Sequence, residues 1–306
     1  VRGRLRACLC IALWLAAPAA WAAEGAEGSA SRRDSDVAPA AVTVRQRFAH
    51  VDMPARDLAQ VAQIGERLVY GIKWKGLAAG QATLSVNRKT SVSGRPTYYL
   101  SLETASNDFL STFYHVEDRV RSYVDADTGR SVLYVRDLRE GGSTANDYVQ
   151  FDYDRNLQYY RPVRTEVQET RAPQPPPRPI PGPVQDPLSV VYYLRHFSLE
   201  PGETREIAVG RRGKTALLEV TAKHVDRISL PGLGEFEALV VELEDSAAGG
   251  PYAPNLFVAR GATRVWVERH TRIPLMARTS LPKIGAVEVL LHHAANCPLA
   301  DHALSD

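Results

Sequence analysis

Apolar and polar residues alternate with a period of two through most of this chain. Leu68, Tyr70, Ile72 and Trp74 alternate with Arg67, Val69, Gly71 and Lys73, a spacing that puts one apolar side on an extended strand. Ala82, Leu84 and Val86 repeat it against Thr83, Ser85 and Asn87, and Val287, Val289 and Leu291 repeat it near the end. Half-buried antiparallel strands are expected. Residues 76–80, glycine at both ends, are read as the loop joining the first two strands, and Asp125, Asp127 and Gly129 as a hairpin turn.

Two strand-rich blocks result, 66–170 and 201–294, within a β-rich domain spanning 53–295. Between them, residues 172–184 contain seven prolines from Pro173 to Pro183, the composition of an extended connector. One helix is expected over 186–198. Asp186 is a good N-cap and Pro187 suits the first helical position; Val190, Val191, Leu194 and Phe197 share a face, and Pro201-Gly202 ends the element. Leu58, Val61 and Ala62 suggest a short helix before the first strand. Arg119 to Arg136 is echoed by Arg264 to Arg278, each reading as strand, acidic turn and returning strand. The fold class expected is all-β and mainly antiparallel: a large sheet that twists and curls into a half-barrel around a groove.

The amino-terminal pattern differs. Arg2, Arg4 and Arg6 precede an apolar run at 7–17, and Ala20-Trp21-Ala22 follows, the plan of an export signal over residues 1–23. The run is about half the roughly 20 residues a spanning helix needs. Export to the periplasm is therefore expected, with no transmembrane segment after cleavage. Residues 24–52, rich in Ala, Ser, Gly, Arg and Asp, read as a disordered leader, and 296–306 as a flexible tail. Loss of the three signal arginines takes the formal net charge from +2 to −1. A nearly neutral chain gives no reason to expect nucleic acid as a partner. Cys8 and Cys10 leave with the signal, so Cys297 has no internal disulfide partner.

The segments Gly65-Glu66-Arg67-Leu68-Val69-Tyr70 and Trp74-Lys75-Gly76-Leu77-Ala78-Ala79-Gly80-Gln81-Ala82, with the later Asp186-Pro187-Leu188-Ser189 and Tyr192-Tyr193-Leu194-Arg195, closely resemble the exported bacterial proteins of domain of unknown function 3108. Val265-Trp266-Val267 with Arg272-Ile273-Pro274 is similar to that family's closing hairpin, itself loosely similar to those of half-barrel periplasmic lipoprotein carriers. The resemblance runs from about Gly65 to Leu291. It implies a periplasmic or envelope-associated β protein and supplies no catalytic residues.

Motifs for chemistry are sparse. There is no G-x-S-x-G elbow, H-E-x-x-H pair or phosphate-binding glycine loop. Asp125 and Asp127 begin like a calcium loop, but Gly129 takes the third ligand position. His292, His293, Cys297 and His302 carry metal-ligand chemistry. However, consecutive strand residues face opposite ways and the spacing fits no compact zinc pattern, so neither a metal site nor a cofactor is expected. Two functions remain open. The first is a non-catalytic envelope protein that binds an apolar or lipid-like ligand, or an envelope partner, with Tyr70, Trp74, Tyr192, Tyr193 and Trp266 as groove residues. The second is an envelope hydrolase whose acids and histidines converge only on folding, with His115, Asp118, Asp125 and Glu268 the first to inspect.

Overall fold

In the computed structural model, residue 48 and residues 51–163, 174–245, 263–281 and 285–304 are described. The signal segment and nearly all of the leader lie outside them. The alternating runs form strands β1 (Arg67–Trp74), β2 (Leu77–Val92), β3 (Arg95–Ser106), β4 (Val116–Asp125), β5 (Ser131–Glu140), β6 (Ser143–Asp152) and β7 (Leu157–Pro162) in the first block. A two-residue strand, β8 (Arg178–Pro179), follows within the proline-rich connector. The second block gives β9 (Thr204–Arg211), β10 (Lys214–Leu230), β11 (Gly234–Asp245), β12 (Thr263–Glu268), β13 (Pro274–Leu281) and β14 (Gly285–Ala295).

All fourteen belong to one antiparallel sheet, in the order β8-β7-β6-β5-β4-β3-β2-β1-β14-β13-β12-β11-β10-β9. The first strand of one block therefore pairs with the last strand of the other, β1 with β14, and each block meanders outward from that seam. Leu68, Leu84, Leu102 and Val120 lie on adjacent strands in register and all point inward, as the period of two predicts. The joint between β1 and β2 is tighter than the five-residue loop expected. Lys75 and Gly76 adopt φ of 49° and 84°, a two-residue hairpin turn whose twist matches the strands it joins. Gly80 thus falls inside β2, where a Cβ would stand 2.3 Å from the Ala105 carbonyl oxygen.

The sheet curls until its two edges meet. The Ser131 N–H, at the start of β5, donates to the Val184 carbonyl (3.2 Å). Gln185 N–H donates to Ala208 O (2.9 Å), and Gly210 N–H donates to Gln185 O (2.7 Å). Residues 184–185 thereby bridge the first block to β9. Beside them Gln158 Nε2 donates to Thr215 Oγ1 (2.9 Å), and a Cβ on Gly210 would lie 2.5 Å from the Phe151 ring. Only glycine lets these edges approach so closely.

The expected helix lies inside this curl. A four-residue helix, α1 (Asp108–Ser111), sits at the rim between β3 and β4. Helix α2 (Ser189–Leu194) is shorter than the 186–198 span expected, and Arg195 to Phe197 continue it with tighter i to i−3 bonds. The Asp186 carboxylate caps it, accepting from the N–H groups of Leu188 and Ser189 (2.8 Å each) and from the hydroxyls of Ser122 (2.6 Å) and Ser131 (2.7 Å). Leu188 to Tyr193 are all buried, as a helix apolar on every side requires. The segment therefore fills part of the groove foreseen beneath the sheet.

Candidate functional site

What the curl leaves open lies on the far side of α2, toward the second block. A cavity of about 320 Å³ is walled by Val191, Leu194 and Phe197 of the helical segment and by Val220, Leu239, Val241, Leu243, Val265 and Val267 of β10 to β12. Its size falls at the lower end of small-molecule sites. Register explains the apolar wall. Val241 pairs with Val265 and Leu239 with Val267, so each pair presents both side chains on the inner face. A bulge in β10 between Ala222 and His224 resets the alternation and turns Val225 inward as well.

Polar side chains lie at the edge of this lining: the charged Glu200, Arg269 and Arg272, and His270. Arg272 donates to the Arg195 carbonyl (3.2 Å) and to the Ser198 hydroxyl, latching the end of the helical segment to the β12–β13 turn. Arg269 pairs with Glu237 (3.5 Å) and, more distantly, Glu200 (4.0 Å).

The same end of the helix is also anchored by a buried ion pair. Arg195 Nη1 and Nη2 donate to the two oxygens of Glu66 at 2.6 and 3.1 Å, with both residues essentially inaccessible. Tyr192 packs against this pair, with the Arg195 guanidinium 5.5 Å from its ring centre; burial pushes its phenol, and that of Tyr70, well above the ordinary range. His196 is held down at about 4, first by burial and then by Arg56 and Arg195.

The five aromatic groove residues take distinct places. The Tyr70 hydroxyl donates to the Pro274 carbonyl (3.0 Å), and Pro274 lines the cavity. Tyr192 and Tyr193 lie on α2 and are buried; the Tyr193 hydroxyl donates to Pro54 O (3.1 Å). Trp74 is half-buried at the end of β1, beneath Lys75. Trp266 points to the other side of β12 from Val265 and Val267, and its indole N–H donates to Asp226 (3.2 Å).

The four polar residues marked for inspection separate. Asp125 accepts from the N–H groups of Asp127 and Thr128 and caps its turn. His115 lies just before β4. Asp118 is buried on the inner face, hydrogen-bonded to Glu140 of β5; burial first, and the neighbouring Glu140 charge second, push its carboxyl up to about 8. Glu268 stands beside His270 and His302. His292 is the extra residue of a bulge, skipped between Leu291 and His293 in the pairing with β1, and its imidazole lies over Gly71. Sequence reasoning missed Glu140 and Arg195 as buried partners and His270 as a neighbour of His302. A buried charge and an isolated turn histidine leave no local signal.

A family model described as "Protein of unknown function (DUF3108)" matches residues 69–292. Comparison with curated proteins finds no match. Among solved structures, the chain is similar to a β-barrel-like protein of domain of unknown function DUF1849 from Brucella abortus (10% identity, 76% of this chain and 98% of that one, TM-score 0.49). It is also similar to a protein with a YmcC-like fold from Bacteroides fragilis (10% identity, 80% and 100%, TM-score 0.31). A third is a DUF1089-family protein from Pseudomonas aeruginosa (10% identity, 66% and 90%, TM-score 0.32).

Proposed function

The chain belongs to the DUF3108 family, and from that membership and the geometry above we propose that it is an exported, non-catalytic protein of the periplasm or envelope that binds a lipid-like ligand beneath its curled sheet. The observation that carries this reading is the cavity of about 320 Å³ with aliphatic walls and a charged edge. An apolar chain gains about 25 cal/mol for each Å² it removes from water, and the walls supplied by Leu239, Val241 and Val265 offer it no competing hydrogen bonds. An acidic headgroup would find Arg269 and Arg272 at the edge.

Export rests on the order of basic, apolar and small residues over 1–23. Among the described residues no helix is long and apolar enough to cross a membrane.

Native mass spectrometry of chain purified without detergent from a periplasmic fraction tests both parts of the reading. The expected spectrum shows a chain beginning near Ala23 and a second series heavier by the mass of one lipid-like molecule, or the appearance of that series after exposure to long-chain fatty acid. A bare chain that gains nothing from the fatty acid would overturn the binding role. A chain found only in the cytoplasmic fraction with residues 1–23 intact would overturn export.

A further inference from the structure

Two segments more than thirty residues apart in sequence place three metal-ligating side chains side by side. Glu268 ends β12 and His270 lies in the turn that follows. His302 comes from a 3-10 turn, Pro298–His302, that packs on the same end of the sheet. One ligand atom from each of the three lies within 4.8 Å of the others. The two imidazoles stack with centroids 5.1 Å apart and planes 20° from parallel.

The β12–β13 turn and the carboxyl-terminal segment are each held by contacts of their own. The Glu268 carboxylate is buried and accepts from the N–H groups of His270 (3.0 and 3.1 Å) and Thr271 (2.6 Å) and from the Thr271 hydroxyl (2.7 Å). These bonds fix the turn and aim His270. The 3-10 turn is fixed by buried Leu299, and just beyond it Leu304 N–H donates to Glu235 O (2.7 Å).

We propose that Glu268, His270 and His302 form a site for a divalent transition-metal ion of the zinc or copper class. Imidazole and carboxylate together suit these ions. Bonds of about 2.0–2.2 Å in tetrahedral geometry put donor atoms about 3.4 Å apart, so closure asks the ligands to move inward by about 1 Å. The imidazoles can do this, since His270 is exposed and His302 only half-buried. The neighbouring guanidinium groups are engaged elsewhere: Arg269 with Glu237 and Glu200, Arg272 with Arg195 O and Ser198. Three protein ligands leave a coordination position open. Because His270 also lines the cavity, the ion sits at the cavity edge and ties the carboxyl-terminal segment to the β12–β13 turn. The site stands on these residues whether or not the cavity holds a lipid.

The test is calorimetric titration of the full-length chain, without a histidine tag and stripped by chelator, with zinc sulfate. One ion per chain is expected. His270→Ala and His302→Ala should each weaken binding at least tenfold, whereas His292→Ala and Cys297→Ser should leave it unchanged. Saturating zinc should raise the melting temperature of the parent, since an ion bound only by the folded chain stabilises it, and should not raise that of the two histidine variants. Both replace accessible side chains, and circular dichroism confirms their folding. Absence of zinc binding by the parent, equal affinity in both histidine variants, or loss of binding in Cys297→Ser would each overturn the site.

Discussion

The two halves of the sheet enclose different interiors. Under β10 to β12 the inner face is aliphatic and leaves a cavity. Under β4 to β7 it is filled with ionised and hydrogen-bonded groups. Arg136 Nε donates to Asp147 Oδ1 (2.8 Å), a second contact joins Nη2 to Oδ2, and the Tyr160 hydroxyl donates to Asp147 (3.3 Å). Arg211 of β9 closes over the same region, its guanidinium lowered to about 10 by burial and then by Arg136. Asp118 of β4, which keeps its proton through burial and the neighbouring Glu140 charge, is hydrogen-bonded to Glu140 of β5, the strand that also carries Arg136. Side chains that must satisfy one another directionally fix the first half in one arrangement. Aliphatic side chains impose no such demand, so the second half can carry empty space and accept a guest. The helix between them presents its Asp186 cap to the polar half and Val191 and Leu194 to the cavity.

The largest effect should follow from breaking the polar half. Asp147→Ala leaves Arg136 buried beside Arg211 with its counterion gone. Stranding one partner of a buried pair costs about 3–5 kcal/mol, about 10 °C or more in melting temperature for a domain of this size. The double variant Arg136→Met/Asp147→Leu removes both charges and should recover most of the loss. Urea denaturation measures each; a cost below about 1 kcal/mol for Asp147→Ala would mean that water reaches this interior.

Acidity should act on the same half more gently. An ordinary aspartate titrates at 3.8, whereas Asp118 keeps its proton to about 8. Between those values the folded chain binds a proton that the unfolded chain lacks, so this group's contribution to stability falls as pH rises through the window and levels off above about 8. Asp118→Asn places a permanently neutral hydrogen-bonding group there. The melting temperature of the parent should drop by several degrees between about pH 5 and pH 9, and that of Asp118→Asn by less. Parallel curves for the two proteins would show that Asp118 is ionised throughout.

What the sequence made legible follows the same division. Alternation placed Leu68, Leu84 and Val287 on strands because each strand's inner face is periodic on its own, and Asp186-Pro187 marked the helix start because capping is a matter of adjacent residues. Closure was not legible: it depends on main-chain bonds from Val184 and Gln185 at the end of a proline-rich connector, which carry no side-chain pattern. Nor was the burial of Arg195, whose partner Glu66 lies 129 residues away and whose charge alone reads as surface. Asp118 stood out as an acid within an alternating run, yet its partner Glu140 emerges only from the pairing of β4 with β5. The cavity wall was half legible. Val265 and Val267 alternate with Trp266, and alternation cannot say which side faces inward; the bulge that turns Val225 toward the cavity breaks the very period on which the reading relies.

The smallest effect on stability should be the most informative about function. Val241→Phe adds a ring to the cavity wall and Val149→Phe adds the same ring to the polar half, where Val149 is buried on β6 between Tyr134 and Tyr160. Overpacking a filled interior costs about 1–3 kcal/mol, and Val149→Phe should show that loss. At Val241 the ring enters existing space, so the cost should stay below about 1 kcal/mol, offset by the added apolar burial. Val241→Phe should also weaken uptake of a fluorescent fatty acid at least tenfold, while Val149→Phe, assayed well below its melting temperature, should bind as the parent does. Equal destabilisation by the two substitutions would mean that the second half is as tightly filled as the first. Unimpaired uptake by a folded Val241→Phe would move the ligand out of this cavity.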